Sequence, residues 1–237
     1  MTEAISLKIL YILHSRPYRD TSLLLECLTL EEGLISLVAR GAKRPKSPYR
    51  NILQLFTPLL ASWYGKGDLK TLKTAELAVV TQPMFGQQLF KGFYINELLL
   101  KVLHRHDPCP VIFKLYQTII ASDLSEVELR KFELSLLAQL GYGLQLTHDV
   151  KTQQPIQAEY DYYYDASIGF TVLSELKLAV SAKYIFKGSH IIAIYQGNYQ
   201  DPEILKSAKR LSRVAFMLLL GNKPLKSREL FITYPLE

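Results

Sequence analysis

Five cationic side chains lie close together between residues 40 and 50, in a segment that contains no acidic residue. A glycine and two prolines in the same segment disfavour helix and strand, so the pattern predicts a loop. Cations gathered in a loop can neutralise phosphates and release counterions, and an aromatic side chain among them can stack on an unpaired base. The cations of this segment, called the cation loop below, are Arg40, Lys43, Arg44, Lys46 and Arg50, and the aromatic residue is Tyr49. The alternative interpretation is a charged loop that only contacts solvent.

A second group of cations recurs at helical spacing near the end of the chain. Steps of three and four residues place its members on one helical face, opposite apolar Leu205, Ala208 and Ala215. The group consists of Lys206, Lys209, Arg210 and Arg213. We interpret it as an extension of a nucleic-acid path, although such a face is most often simply the wet side of an amphipathic helix.

A third pattern sets Arg130 and Lys131 beside apolar Phe132, Leu136 and Leu137. An apolar groove rimmed by arginine suits an acidic peptide that ends in a carboxylate. The alternative is an ordinary amphipathic core helix whose cations are exposed. The residues alone favour this alternative.

The sequence offers little for covalent or metal chemistry. The segment 221–227 faintly resembles a phosphate-binding P-loop, but it lacks the glycine before the lysine and carries Pro224 where backbone donors are needed. Cys27 and Cys109 lie in no nucleophile motif and are too few for a disulfide framework or a structural zinc site. The histidines and cysteine at 104–109 are spaced two and three apart, and residues two apart on a helix point to different sides. We therefore expect neither an enzyme nor a bound metal or cofactor.

The elements that must position the cation loop are strands. Alternation of apolar and polar side chains predicts strands over residues 5–13, 22–29, 34–40, 55–64 and 69–79. Five strands in roughly eighty residues are typical of a small closed barrel, either an OB-fold or an SH3-like barrel. The cation loop then connects the third and fourth strands.

After Pro83 the hydrophobic period becomes helical. The predicted helices span 88–106, 110–122, 125–141, 201–221 and 226–232, and short strand-like pieces lie at 158–164, 169–173 and 191–195. Ser125 with Glu128 forms a capping-box pattern, and Gly141 suits the turn that ends this helix. Asp201 followed by proline opens the next long helix. The prediction is an α+β chain with a barrel domain at 1–82 and a mainly helical domain at 83–237, which includes an irregular insert at about 147–195.

Composition sets the class of protein. Hydrophobic residues make up 49% of the 237 residues, which is ample for a core. The net charge of +6 favours an anionic partner without requiring one. The longest apolar runs are far shorter than the ~20 residues of a membrane span, so we expect a cytoplasmic protein without membrane contact.

Seven segments in order along the chain resemble the RecO family. They are HSRPYRDTS at 14–22, VARGAKR at 38–44, LFTPLL at 55–60, YINEL at 94–98, LRKFEL at 129–134, LGYG at 140–143 and KPLKSRELF at 223–231. Each is weak alone, but together they cover essentially the whole chain. The resemblance implies an N-terminal OB-fold and a helical C-terminal domain.

The resemblance also implies a role in recombinational DNA repair. Members of the family bind single- and double-stranded DNA, anneal complementary strands, and with the RecR protein help to load the RecA recombinase onto DNA coated by single-strand-binding protein. They are not enzymes and act at the nucleoid. The family further implies that the acidic C-terminal tail of single-strand-binding protein docks at Arg130, beside Lys131, Phe132 and Leu137. An RNA-binding OB-fold module and a purely structural adaptor are the competing functions.

The insert departs from part of the family. Some members carry a four-cysteine zinc module there, whereas residues 147–195 contain no cysteine. The chain therefore resembles the zinc-free branch, and we expect the insert to be held by its own packing. The aromatic residues available for this packing are Tyr160, Tyr162, Phe170 and Tyr184.

Overall fold

The structure is a computed structural model that describes residues 6–175, 180–221 and 224–233. The strands are β1 (Lys8–Tyr18), β2 (Ser22–Thr29), β3 (Gly33–Ala39), β4 (Pro58–Tyr64), β5 (Leu69–Leu77), β6 (Asp161–Asp165), β7 (Gly169–Val172) and β8 (Ile185–Lys187). The helices are α1 (Gly86–Val102), α2 (Pro110–Ile120), α3 (Glu126–Gln139), α4 (Gly188–Tyr195), α5 (Pro202–Leu220) and α6 (Ser227–Thr233), with single 3-10 turns at Leu173–Glu175 and Ala182–Tyr184. The predicted α+β class is confirmed.

Packing divides the chain into two compact units. The first contains the five-stranded barrel together with α1, α2 and α6, and the second contains α3, α4, α5 and the three-stranded sheet. The change from strand to helix falls between Leu77 and Gly86, where the sequence places its domain boundary. That residues 1–82 form a domain of their own stays a prediction, because three of the helices beyond this boundary belong to the same unit as the barrel.

The barrel has the strand order β1-β2-β3-β5-β4, and β4 pairs back with β1 to close it. All pairs are antiparallel except β3 with β5. This confirms the predicted OB-fold. Two strand starts differ from the prediction: Ile5 lies outside the described residues, and β4 begins at Pro58 because the residues before it form turns, with Phe56 at a positive φ of 64°.

Apolar side chains of alternate strand positions fill the barrel. The fully buried interior includes Leu10, Ile12, Leu25, Cys27, Ile35, Leu37 and Leu59. Burial raises the pKa of the Cys27 thiol, so this side chain behaves as a small hydrophobe and not as a nucleophile.

The outward side of β1 is covered by helices of the same unit. The ring of Tyr11 packs 5.7 Å from that of Phe113 and 5.1 Å from that of Tyr116, both on α2. The buried Asn96 amide on α1 donates to the carbonyl of Leu13 at 2.8 Å and accepts the Tyr116 hydroxyl at 2.8 Å. These contacts attach α1 and α2 to the barrel wall.

The outward side of β2 and β3 is closed in the same way. Arg105, between α1 and α2, donates to Ser36 at 2.5 Å and to Glu26 at 2.8 Å. A Cβ at Gly33 would lie 2.1 Å from the Asp107 carbonyl oxygen, so only glycine fits at this approach. The β2–β3 face, which OB-folds commonly offer to oligonucleotides, is therefore occupied by the chain itself.

Helix ends in the second unit follow their sequence signals in large part. Ser125 accepts from the Glu128 amide at 3.2 Å, and Gly141 has the positive φ of 83° expected after a helix. Only half of the predicted capping box forms, because the Ser125 amide donates its hydrogen bond to Asp123 and the Glu128 carboxylate pairs with Lys131. Asp201 accepts from the Glu203 amide at 2.8 Å and caps α5 as predicted.

The insert is a small sheet of order β7-β6-β8 with an aromatic core. Tyr162 and Phe170 are buried in it as predicted, whereas Tyr160 is 51% exposed and Tyr184 is half-buried. The strand predicted at 191–195 is wrong, because these residues form the second half of α4. Ile191 and Ile194, three residues apart, are buried on one face of that helix, and a five-residue apolar run is too short to separate strand from helix by period.

Candidate nucleic-acid interface

The cation loop is an ordered series of turns at one end of the barrel. Backbone hydrogen bonds join Arg44 to Gly41, Ser47 to Arg44 and Arg50 to Ser47, and the Lys43 amide donates to the carbonyl of Thr21 at 2.9 Å. The last bond ties the loop to the β1–β2 hairpin. Buried Ala42 joins the barrel core beneath the loop, so the backbone is held while the charged side chains point away.

All five cations of the loop are exposed: Arg40, Lys43, Arg44, Lys46 and Arg50. Among the described residues, none of them forms an ion pair with a carboxylate. Their positive potential is therefore not cancelled locally, and their donors are open to a ligand. An arrangement of this kind binds phosphates by charge and by counterion release.

Tyr49 anchors the loop and is not free as the sequence suggested. Its ring is half-buried against the barrel core, and its hydroxyl donates to the carbonyl of Lys73 at 3.0 Å. Burial raises the pKa of this phenol. The exposed edge of the ring lines an open cleft of about 450 Å³, together with Leu23, Lys43 and Arg50. Stacking on a base therefore stays a prediction, and it is confined to that edge.

The opposite end of the barrel has charges of both signs that neutralise each other. Lys8 lies 2.7 Å from Glu31 and 3.2 Å from Glu32, and Lys70 also pairs with Glu32. Burial opposes ionisation of Glu32, but the hydrogen bonds from Lys70 and Lys8 outweigh it and lower the pKa of this carboxyl. This end therefore offers little net charge to a polyanion.

The cations of α5 are mostly engaged within the second unit. This group, called the α5 stripe below, consists of Lys206, Lys209, Arg210 and Arg213. Lys206 lies 2.7 Å from Glu203, and Lys209 lies 3.7 Å from Glu126. Arg210 donates to the carbonyl of Ile185 at 2.6 Å and lies 4.4 Å from the centre of the Phe186 ring. Arg213 is exposed. The stripe is on one helix face as predicted, but its role in a nucleic-acid path stays a prediction.

The cations of α3 differ from the expectation of an exposed rim. Arg130 is 3% exposed and lies 2.8 Å from the Glu133 carboxylate, whereas Lys131 is exposed and pairs with Glu128. Phe132 and Leu137 are buried, and α3 packs against α5. Arg130 thus forms a buried ion pair where an exposed rim was expected, and the predicted groove for an acidic peptide stays a prediction.

Sequence reasoning missed two exposed side chains on the outward side of β4 and β5. Tyr64 is 53% exposed, and Lys73 is exposed beside the cation loop. The alternation of β4 alone places Tyr64 on the outside, which is the signal that was available for it. Lys73 carries no such signal, because it is an extra residue in the strand pairing.

Other groups in the described ranges show no sign of a second site. No set of three or more histidine, cysteine or carboxylate side chains there is close enough to hold a metal ion, and His106 instead lies 3.3 Å from Asp68. That the protein takes no metal stays a prediction. None of the helices within those ranges has the length and apolar character needed to cross a bilayer.

Comparison with known proteins gives matches over both units. A family model described as "Recombination protein O N terminal" matches residues 9–80, and one described as "Recombination protein O C terminal" matches residues 87–229. A protein of Glaesserella parasuis named "DNA repair protein RecO" is 42% identical over 226 residues, which are 93% of this chain and 92% of that protein. Proteins of the same name from Photobacterium profundum and Aliivibrio fischeri are each 39% identical, and the aligned part covers 94% of this chain with 94% and 93% of theirs.

Proposed function

Because the chain belongs to the RecO family of DNA repair proteins, we propose that it is a recombination mediator that binds single- and double-stranded DNA through the cation loop and catalyses no bond-making step. The observation that carries this proposal is the set of exposed loop cations on an OB-fold, none of which pairs with a carboxylate in the described part of the chain. Such cations suit the DNA backbone, which every sequence presents alike. A mediator that acts on many DNA sequences needs this kind of contact.

Strand annealing follows from the same electrostatics. Two complementary strands repel each other through their phosphates, and cations that neutralise these charges allow the bases to meet and pair. If all five loop cations contact phosphates, the affinity for single strands falls with salt at a log-log slope of about −3.5. Strand annealing then depends only on DNA binding and on the proximity of the two strands.

The partners of this activity are also part of the proposal. We assign to the second unit the docking of the acidic C-terminal tail of single-strand-binding protein, which brings the chain to exposed DNA. With RecR, the chain then helps RecA to load onto that DNA. These events belong at the nucleoid in the cytoplasm.

Arg130 remains the proposed contact for the tail, although it is buried. Among the described residues, its Nε atom has no hydrogen-bond partner, so one donor of the guanidinium is left for an incoming carboxylate. A cleft of about 490 Å³ opens beside Val127 and Tyr199. Burial raises the pKa of Tyr199, and the positive charge of the neighbouring Arg130 opposes this shift through an electrostatic interaction. The tail must therefore reach Arg130 in competition with Glu133.

Annealing of complementary oligonucleotides tests the division of labour. The loop variant carries Lys43→Glu, Arg44→Glu and Lys46→Glu, and a control of equal net charge carries Lys114→Glu, Lys183→Glu and Lys187→Glu at exposed positions elsewhere. We expect the loop variant to lose annealing on naked and on coated DNA, while the control anneals naked DNA like the wild type. Equal loss in both variants would mean that net charge, and not the loop, drives binding.

The partner contact needs a conservative variant, because removal of Arg130 leaves Glu133 buried without its cation. Arg130→Lys keeps the charge but not the two-pronged geometry that a carboxylate prefers. It should anneal naked strands normally and fail on strands coated by single-strand-binding protein. Loss on naked strands as well, with an unchanged melting temperature, would contradict the proposed separation. Competition by an RNA of the same sequence, measured alongside, distinguishes DNA from RNA as the preferred strand.

A further inference from the structure

The outward sides of β4 and β5 form an uncovered wall of the barrel. On β1–β3, Tyr11 packs against Tyr116 of α2, Ser36 accepts from Arg105, and Leu24 and Leu34 are buried, whereas His14, Arg16 and Pro17 in the second half of β1 are exposed. On the β4–β5 wall, by contrast, Tyr64, Lys73 and Thr74 are exposed. A strand bound by the cation loop therefore has this wall of the barrel open to it.

Strand pairing places the exposed groups of this wall in a row. Tyr64 pairs with Thr71, and Ser62 pairs with Thr74, so all of them lie on the outward side. The Ser62 and Thr74 hydroxyls are 2.7 Å apart. Between these pairs Lys73 has no partner on β4 and forms a bulge. Bulges re-aim side chains and recur beside functional sites.

The wall is continuous with the cation loop. The carbonyl of Lys73 accepts the hydroxyl of Tyr49, which belongs to the loop. Along β3 and β5, Val38 pairs with Thr71, and Arg40 and Lys73 each follow this pair by two residues. Because β3 and β5 run parallel, Arg40 and Lys73 both lie towards the end of the barrel that carries the cation loop.

Charge limits the length of the wall that suits a polyanion. Among the described residues, Lys73 forms no ion pair. Glu76 is exposed three residues further along β5, and Asp68 is exposed in the turn before β5. The favourable region between these acids holds one cation, one exposed aromatic ring and three hydroxyl-bearing positions, which is enough for a few nucleotides.

We propose that single-stranded DNA continues from the cation loop onto the β4–β5 wall, where Lys73 contacts a phosphate and Tyr64 stacks on an unpaired base. This inference rests on the proposed DNA binding by the loop and names the next part of its path. A stacked base must be unpaired, so the wall selects single strands, whereas the loop cations bind phosphates of either form.

Two single substitutions with matched controls test the path. Tyr64→Leu removes the aromatic ring, and Tyr160→Leu removes one of nearly equal exposure, 51% against 53%. Lys73→Ala removes the wall cation, and Lys114→Ala removes an exposed lysine of the same unit from α2. Binding is measured by fluorescence anisotropy with an oligothymidine, with an abasic strand of equal length and with a duplex, across a salt series.

The expected results separate stacking from charge. Tyr64→Leu should weaken oligothymidine binding about tenfold and leave the abasic strand and the duplex unchanged, because only the free bases stack. Lys73→Ala should reduce the salt slope for the oligothymidine by about 0.7. Tyr160→Leu and Lys114→Ala should behave like the wild type.

Two outcomes would overturn the inference, and each is distinct from failure of the proposed function. If Tyr64→Leu and Lys73→Ala bind oligothymidine like the wild type while the loop variant does not, the loop binds DNA and the wall does not. If Tyr64→Leu weakens the abasic strand as much as the oligothymidine, the ring acts through barrel structure and not through stacking. If every variant, including the loop variant, binds DNA like the wild type, the proposed function itself is refuted.

Discussion

In the cation loop five cations are exposed and form no ion pair with any residue that the structure describes, whereas in α3 Arg130 is 3% exposed and lies 2.8 Å from Glu133. A charge in water costs little to maintain and stays available to a ligand. A buried charge must be compensated within the protein, and its removal leaves the partner uncompensated. The two regions therefore differ in what a mutation tests: binding at the loop, and stability as well as binding at α3.

The largest expected effect is that of Arg130→Ala on stability. This substitution removes the guanidinium that lies 2.8 Å from the fully buried Glu133 carboxylate, and should lower the free energy of unfolding by about 3–5 kcal/mol. Urea denaturation followed by far-UV circular dichroism measures the change. The triple loop variant is the counterpart and should stay within about 0.5 kcal/mol of the wild type, as exposed substitutions do. Similar losses in both would remove the contrast between the two regions.

A buried carboxylate in the insert extends the contrast to acids. Asp149 is 2% exposed and accepts the backbone amides of Lys151, Thr152 and Val172. Burial opposes its ionisation, but these hydrogen bonds outweigh burial and lower the pKa of the carboxyl. Asp149→Asn should therefore cost about 2 kcal/mol at neutral pH, a typical value for hydrogen bonds to a charged group.

The pH dependence of that loss has a definite sign. Because the folded pKa of Asp149 lies below its ordinary value of 3.8, the stabilisation is present above that value and is lost as pH falls through the folded pKa. The stability difference between wild type and Asp149→Asn should shrink between pH 5 and pH 2, with denaturation measured at each pH. A constant difference would show that shape, and not charge, makes the asparagine unfavourable.

Arg210 tests whether a cation of the α5 stripe is structural. Its donors meet the carbonyls of Ala182 and Ile185, and its guanidinium stacks on Phe186. Arg210→Met should lower stability by about 1–2 kcal/mol through lost hydrogen bonds and stacking, with little change in DNA affinity. Lys206→Met, on the same face, should change neither quantity by much. Weaker DNA binding in Arg210→Met at unchanged stability would reassign this residue to the interface.

The smallest expected effect is that of one loop cation. Lys46→Ala should leave stability unchanged and should reduce the salt slope of single-strand binding by about 0.7, the value for one phosphate contact. Titrations over a salt series measure it. Lys131→Ala is the control, because this exposed lysine of α3 already pairs with Glu128. Equal slopes for Lys46→Ala and wild type would show that this cation contacts no phosphate.

Local patterns in the sequence were sufficient for most of the architecture. Alternation over 22–29 predicts β2 with its observed bounds, and Asp201 with Pro202 predicts the start of α5. These signals are short-range, because a strand alternates and a helix is capped according to residues a few positions apart. The short apolar run at 191–195 failed for the same reason, since five residues carry too little period to identify a helix.

The sequence by itself determined that the chain has a cation-rich loop on a five-stranded barrel, because both features depend on residues that are close together in the sequence. Only the tertiary structure decided which charges remain available. Arg130 and the loop arginines are the same residue type. Arg130 is buried beside Glu133 and Tyr199 in a helix that packs against α5, whereas the loop arginines are exposed to solvent. The bulge at Lys73 and the covering of the β1–β3 wall likewise depend on the pairing of distant strands and the packing of helices, which no local pattern encodes.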